Sequence, residues 1–155
     1  MTDRMLPDAT ERDVHISRTF DAPIALVWRF WTDPALLAQW FGPHGIAVDP
    51  ATVTVEASAG GAWNLAMHDD HGVYPIAATI VEADEPHYLE ILMSAQTEHG
   101  TLEDVLLRIQ FHDHGERTRM TLLQGPFTPG DRDLTENGWL ESFDKLDAII
   151  AGGTA

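Results

Sequence analysis

The chain has 155 residues, of which 44% are hydrophobic and 22% are charged, as is typical of one soluble globular domain. Its 25 Asp and Glu against 9 Lys and Arg give a formal net charge of -16, which disfavours nucleic acid and anionic membranes as partners. There is no cysteine, so disulfides and thiolate chemistry are excluded. Neither a targeting peptide nor a membrane-length apolar run is evident, so we expect a cytoplasmic protein without membrane insertion.

The N-terminal part of the sequence predicts one strand followed by two short helices. Residues 1–12 are polar and aperiodic and are expected to be flexible, ahead of a single domain at residues 13–151. Alternating apolar positions indicate a first strand with one buried face: Val14, Ile16 and Phe20. Two short amphipathic helices are then expected to start at Asp21 and Asp33, since each aspartate can cap free N–H groups and is closely followed by a proline.

After residue 46 the hydrophobic period changes to two, which is typical of strands. Six alternating segments, separated by turn residues such as Gly60-Gly61, predict an antiparallel meander and bring the count to seven strands. Pro75 has no N–H to donate, so its part of a strand should be an edge or a bulge. Residues 96–101 are expected to form a polar link. The positions predicted to face inward are Trp63, Leu65, Met67, Ile76, Ile80, Leu89, Ile91, Met93, Leu107, Ile109, Phe111, Met120 and Leu122.

Residues 131–150 predict one long amphipathic helix with Asp131 as its cap. Large apolar residues recur on one face of this helix at intervals of four, three and four: Trp139, Phe143, Leu146 and Ile150. That face must be covered, and an antiparallel sheet curled around the helix would cover it. A glycine inside a helix costs about 1 kcal/mol relative to alanine, so Gly138 indicates close approach or open space beside Trp139.

Two segments near the N-terminus carry a resemblance to known proteins: Phe20-Asp21-Ala22-Pro23 with Val27-Trp28, and Thr32-Asp33-Pro34 with Trp40-Phe41. Together with the order of the elements, they resemble the helix-grip fold of the START-like or SRPBCC superfamily. This is an α+β fold with a seven-stranded antiparallel sheet curled around a long C-terminal helix. Further segments are similar to the branch of homologues of the activator of heat-shock protein 90 ATPase: Gly60-Gly61, Trp63, the turn Asp70-His71-Gly72-Val73-Tyr74-Pro75, and Gly138-Trp139 with Phe143, Lys145 and Leu146.

The resemblance implies an apolar cavity between the sheet and the C-terminal helix. Members of the superfamily bind lipids, hormones, polyketides or other hydrophobic small molecules there, and some use the cavity for catalysis. The branch is named for a chaperone regulator whose activating work also involves a separate domain, so the name alone does not carry a co-chaperone role over to this chain.

Candidate ligand-binding residues follow from the inward stripe, the aromatic helix and the polar groups near them. The predicted cavity-lining residues are Trp40, Trp63, Met67, Ile76, Met93, Arg108, Trp139 and Phe143, and the polar candidates at the cavity mouth are His44 and Tyr74. Two clusters contain metal-ligand residue types, His68-Asp69-Asp70-His71 and His112-Asp113-His114. Both fall at predicted hairpin turns, where a solvated turn is the usual explanation, so neither a metal nor a cofactor is expected.

Three functions are compatible with these observations. The leading hypothesis is a carrier, sensor or stress-related protein that binds a small hydrophobic molecule; the sequence contains no recognisable nucleophile and base pair, and no catalytic residue is assigned. The first alternative is an enzyme of the cyclase, hydrolase or dehydratase type, which needs a buried titratable group with a displaced pKa. The second is an interaction module for a chaperone or for a homodimer, which needs a large exposed apolar patch.

Overall fold

An antiparallel sheet wraps around a long C-terminal helix in the computed structural model, which describes residues 6–97 and 100–152. The strands are β1 (Val14–Phe20), β2 (Ala47–Val48), β3 (Thr54–Val55), β4 (Trp63–Asp69), β5 (Gly72–Asp84), β6 (Tyr88–Thr97), β7 (Gly100–His114) and β8 (Arg117–Gly125). The helices are α1 (Ile24–Thr32), α2 (Pro34–Trp40) and α3 (Pro129–Gly152), with a single 3-10 turn at Pro50–Thr52.

The sheet order is β1-β8-β7-β6-β5-β4-β2, with β3 also paired to β4, and every pair is antiparallel. This arrangement confirms the predicted α+β helix-grip fold with two short helices between the first two strands. The described residues form eight strands, one more than the sequence predicts. The additional strand is β2, whose two residues are too few to show alternation.

The inward face of the sheet and the two short helices form one hydrophobic core with α3. The residues predicted to face inward are buried, apart from the half-buried Met67. Trp31 lies at the centre of an aromatic cluster, with its ring centroid 4.9 Å from that of Trp40 and 5.6 Å from that of Trp139. Phe143 and Leu146 are fully buried, so the second half of α3 anchors the helix to the core.

Two of the three predicted helix starts differ from the structure. Asp33 caps α2 as predicted, because its carboxylate accepts hydrogen bonds from two backbone amides of the first turn. Asp21 does not cap α1, which begins at Ile24 without a side-chain cap; its exposed carboxylate instead lies 3.7 Å from Arg117 Nε. Asp131 lies in the first turn of α3, and its amide donates to Thr128 Oγ1 at 3.3 Å.

The remaining predictions concern strand ends and the N-terminal segment. Among the described residues, Pro75 lies where β5 pairs only with β4, since pairing with β6 begins at Ile76, and this confirms an edge position. Most of the predicted polar link at 96–101 belongs to strands, because β6 extends to Thr97 and β7 begins at Gly100. Residues 98 and 99 lie outside the described residues, as do residues 1–5. The flexibility of residues 1–12 stays a prediction.

Across the described ranges, no helix combines the length and the apolar character that crossing a bilayer requires.

Candidate functional site

A cavity of about 900 Å³ lies between the first half of α3 and the sheet. Three segments enclose it: the loop after α2 (residues 41–47), the β4–β5 hairpin around residues 67–74, and residues 131–142 of α3. Single residues of β5, β6 and β8 complete the inner wall, namely Ile76, Met93 and Gln124. The cavity therefore occupies the place at which the sequence predicts one.

The inner end of the cavity is apolar except for one amide. Ile76, Met93 and Trp139 are only 5%, 5% and 6% exposed, and Gln124 is 3% exposed. Trp139 Nε1 donates a hydrogen bond of 2.7 Å to Gln124 Oε1, and Gln124 Nε2 lies 3.4 Å from Met93 Sδ. The indole N–H can only donate, so the oxygen of the amide faces Trp139 and its nitrogen faces Met93.

Gln124 is a cavity residue that the sequence analysis missed. It continues the alternation of Met120 and Leu122 along β8, and that phase places it on the inward face with them. A glutamine that extends an otherwise apolar inward stripe is the signal that would have found it.

The first half of α3 forms the roof of the cavity, and small side chains keep it open. Apart from the adjoining residues and the backbone of the helix itself, a Cβ atom added at Gly138 would meet no atom within 4 Å, so Gly138 borders open space in the cavity. One turn later, Ser142 satisfies its hydroxyl within the helix by donating to Gly138 O at 2.8 Å. Of the two explanations for the helix-interior glycine, open space and close approach, the structure shows open space.

The mouth of the cavity is polar and rich in acidic side chains. Four carboxyl groups line it, those of Asp69, Asp70, Asp131 and Glu141. Three exposed histidines lie among them: His44, His68 and His71. The described lining contains no Lys or Arg. The entrance therefore presents a negative potential to a ligand.

Asp69 forms hydrogen bonds within the β4–β5 hairpin turn. Its Oδ1 accepts hydrogen bonds from the amides of His71 at 2.8 Å and Gly72 at 3.1 Å, and from the Tyr74 hydroxyl at 3.1 Å. The His71 amide contributes most to lowering the pKa of Asp69, against the opposing effect of burial. Asp69 therefore stabilises the turn that shapes one side of the mouth.

Lys145 fastens the loop after α2 to α3. Its Nζ donates to Gly42 O at 3.0 Å and to Ile46 O at 3.2 Å, and burial lowers the pKa of this ammonium group. On the other side of the loop, Glu141 Oε1 accepts a hydrogen bond of 2.9 Å from the His44 amide. Two side chains of α3 thus hold one wall of the cavity in place.

Six of the ten predicted site residues line the cavity: His44, Met67, Tyr74, Ile76, Met93 and Trp139. Three others belong to the core and not to the lining: Trp40, Trp63 and Phe143. The indole of Trp40 donates to Phe30 O at 2.9 Å, and that of Trp63 donates to Trp31 O at 3.0 Å, so both rings are turned toward α1. Apolar spacing, of period two for Trp63 and helical for Trp40 and Phe143, predicts their burial correctly but does not predict how far they lie from empty space.

Arg108 does not lie in the cavity, and its assignment as a lining residue is wrong. Its neighbours Leu107 and Ile109 are fully buried on the inward face, so Arg108 points to the opposite face of the sheet. There it pairs across the strands with Glu90, and Nε lies 3.9 Å from Glu90 Oε1.

The chemistry available at the inner end is hydrogen bonding and apolar contact. Among residues 6–94 and 104–152, whose side chains the structure describes, the buried polar side chains are Gln110, Thr118, Gln124 and Ser142, none of which is an acid, a histidine or a lysine. Within the same residues, no three His, Asp or Glu side chains are grouped closely enough to hold a metal ion.

The sequence matches the model of a family described as activator of Hsp90 ATPase homolog 1-like protein, over residues 21–151. No curated protein sequence matches. Solved structures share the fold at low identity. The AHSA1 protein from Silicibacter pomeroyi is 20% identical, with a TM-score of 0.77 over 90% of this chain and 97% of that chain.

Two further structures extend the comparison. A protein from Nitrosomonas europaea is 24% identical, with a TM-score of 0.77 over 95% of this chain and 99% of that one. DynU16, a protein from the dynemicin biosynthetic locus, is 18% identical, with a TM-score of 0.70 over 95% of this chain and 49% of that one. At these identities the similarity shows the fold alone.

Proposed function

Since this chain belongs to the family of activator of Hsp90 ATPase homolog 1-like proteins, we propose that it binds a small hydrophobic molecule in the cavity between α3 and the sheet. The observation that carries the proposal is the open space between α3 and the sheet, which Trp139, Met93 and Ile76 line and which Gly138 keeps free of a side chain on the roof. Concave, mostly apolar sites with a few convergent polar groups are typical of small-molecule binding.

The size and composition of the cavity support this proposal. A volume of about 900 Å³ lies near the upper end of the usual range for ligand pockets, which is roughly 300–1,000 Å³. Met67 and Met93 on its wall are flexible and polarizable, so they can adjust to ligands of different shape. These properties suit a carrier or a sensor.

Binding is favoured over catalysis by the chemistry of the inner end. An acid–base enzyme acting on an apolar substrate would need a buried group that titrates, such as a carboxyl group in an apolar pocket. The inner end offers the amide of Gln124 instead, and the roof offers the hydroxyl of Ser142. A chaperone contact and self-association stay predictions from the sequence and the family name.

The proposal is tested by filling the empty space. Binding of N-phenylnaphthylamine, a neutral probe that fluoresces in apolar surroundings, is measured by titration into the wild-type protein and into Gly138→Trp. The wild-type protein is expected to bind the probe. Gly138→Trp is expected to lose binding, because the indole would occupy the volume beside Trp139.

Leu140→Trp is the matched control. Leu140 lies two residues further along α3, is 39% exposed and does not line the cavity, so it introduces the same side chain outside the site. This variant should bind the probe as the wild-type protein does. Failure of the wild-type protein to bind, or equal binding by Gly138→Trp, would contradict the proposal.

A further inference from the structure

The hydrogen-bonding state of Gln124 narrows the class of molecule that the cavity can hold, and this step rests on the proposed binding function. Gln124 is almost completely buried at the inner end, and its Oε1 is occupied by the Trp139 indole. The amide nitrogen carries two N–H donors. Within the described residues its sole acceptor is Met93 Sδ at 3.4 Å, and a thioether sulfur is a weak acceptor.

At least one N–H of Gln124 is therefore left without an oxygen or nitrogen acceptor in the described part of the chain. Gln124 and Met93 both line the cavity, so this donor is at the boundary of the open space. A buried donor without a good partner is costly, and a ligand that supplies an acceptor removes that cost.

The acceptor must be uncharged. No Lys or Arg belongs to the described lining, so a carboxylate or phosphate at the inner end would be buried without a counter-charge. The carbonyl oxygen of a ketone, ester or amide is an uncharged acceptor that needs only one or two donors. A single N–H of the Gln124 amide can therefore satisfy it.

We propose that the cavity selects hydrophobic molecules that carry an uncharged carbonyl oxygen at the end that enters first, and that Gln124 Nε2 donates a hydrogen bond to this oxygen. Trp139 fixes the direction of the donor, because its indole N–H holds Oε1 on the other side of the amide. The apolar remainder of the ligand lies along Met93, Ile76 and Met67 toward the mouth.

The first experiment uses the wild-type protein and two probes of nearly the same shape. Acetylnaphthalene presents a carbonyl oxygen, and isopropenylnaphthalene presents a CH₂ group in its place. Their dissociation constants are measured by quenching of tryptophan fluorescence. The ketone is expected to bind roughly tenfold more tightly, the effect of one buried hydrogen bond.

The second experiment repeats both titrations with Gln124→Met, which keeps an unbranched side chain of similar length and removes the N–H donors. The preference for the ketone is expected to disappear. Gln110→Met is the matched control, because Gln110 is 8% exposed on the neighbouring strand β7 but does not line the cavity. This variant should keep the preference.

An infrared spectrum of the bound ketone supplies a readout that a purely structural role of Gln124 would not change. A hydrogen bond lowers the carbonyl stretching frequency, so the bound probe should show a red shift in the wild-type protein and in Gln110→Met. The shift should be absent in Gln124→Met.

The outcomes separate this inference from the proposed function. If neither probe binds the wild-type protein, the binding function fails and the inference fails with it. If both bind equally, or if the ketone keeps its advantage in Gln124→Met, binding stands and the role of Gln124 is overturned. If Gln124→Met does not fold, two measurements on the wild-type protein still test the inference. These are the comparison of the two probes and the infrared spectrum of the bound ketone.

Discussion

Gly138 lowers the stability of α3 but leaves open the cavity space that a larger side chain would fill. Glycine destabilises a helix interior by about 1 kcal/mol relative to alanine. The helix tolerates this cost at a position where a Cβ would meet no atom within 4 Å, directly beside the inner end of the cavity. Gly138→Ala is therefore expected to raise the free energy of unfolding by about 1 kcal/mol. The midpoint of urea denaturation measures the change.

Gly61→Ala provides the opposite case. A Cβ at Gly61 would overlap with the backbone oxygen of Glu56, a contact that the backbone cannot accommodate without moving. This variant should lower the urea midpoint. If Gly138→Ala also lowered it, the space beside Trp139 would be filled and not open.

Single residues also show where sequence reasoning succeeds and where it stops. Alternation correctly predicts the burial of Met93 and Ile76, because the side-chain direction in a strand is a local property. It does not separate these two from Trp63, which is equally buried but turned toward α1. The difference depends on where another element leaves a gap, and no local pattern encodes that.

Arg108 and Gln124 illustrate a different error. A charged side chain near apolar strands invites a functional assignment, whereas the phase of β7 directs Arg108 to the opposite face. The same reasoning applied to β8 would have placed Gln124 inward. In both cases the strand phase was the better guide than the type of side chain.

At the scale of elements, α3 and the loop after α2 form a pair held together by Lys145. Its two hydrogen bonds to Gly42 O and Ile46 O fasten the wall of the cavity to the helix that roofs it. In Lys145→Met these bonds are lost, and the amides of residues 42–46 are expected to exchange hydrogen several-fold faster, as an opening of the loop becomes easier. Hydrogen exchange followed by mass spectrometry measures this.

Global stability should change little in the same variant. Burial lowers the pKa of Lys145 below its ordinary value of 10.5, so the unfolded chain holds the proton more tightly than the folded chain. The free energy of unfolding therefore increases as the pH rises from the lowered pKa toward 10.5, because the folded chain loses the buried charge first. At neutral pH Lys145 is charged in both states, and the folded state is destabilised by the full cost of burying that charge. Removing the charge offsets part of the lost hydrogen bonding.

Arg18→Met is the matched control for Lys145→Met. Arg18 on β1 donates to Asp144 and Asp147 of α3, on a side of the helix away from the loop. Losing this cation should leave exchange at residues 42–46 unchanged. Equal acceleration in both variants would show that α3 loosens as a whole and that Lys145 has no particular role.

The errors in the predicted helix starts arise from contacts between elements that are distant in sequence. Asp33 caps α2 through contacts two and three residues away, which a sequence pattern can predict. Asp21 is next to Arg117, which is distant in sequence and is brought near by the pairing of β1 with β8, where Phe20 lies opposite Thr118. Local signals identify an element more reliably than they identify its first residue.

At the scale of the whole molecule, charge and cavity act together. The formal net charge is -16, and four acidic side chains line the mouth of the cavity. An anionic ligand must approach against this potential, whereas a neutral one does not. N-phenylnaphthylamine is therefore expected to bind more tightly than anilinonaphthalene sulfonate, which has the same ring system and an added sulfonate.

The salt dependence of binding distinguishes electrostatic repulsion of the sulfonate from a difference in how well the two probes fit the cavity. Raising the salt concentration from about 0.01 M to about 1 M shortens the Debye length from about 30 Å to about 3 Å. The affinity of the sulfonate should then approach that of the neutral probe in fluorescence titrations. A gap that does not respond to salt would assign the preference to the shape of the pocket.

Lys145 is the only lysine in the sequence. Reagents that acylate amines have this one side chain to react with, apart from the terminal amine of the chain. Its side chain is half-buried and its nitrogen donates to two loop carbonyls, so acylation is expected to be slow until the loop moves away. The rate of covalent labelling at a single atom thereby records how often the entrance to the cavity opens.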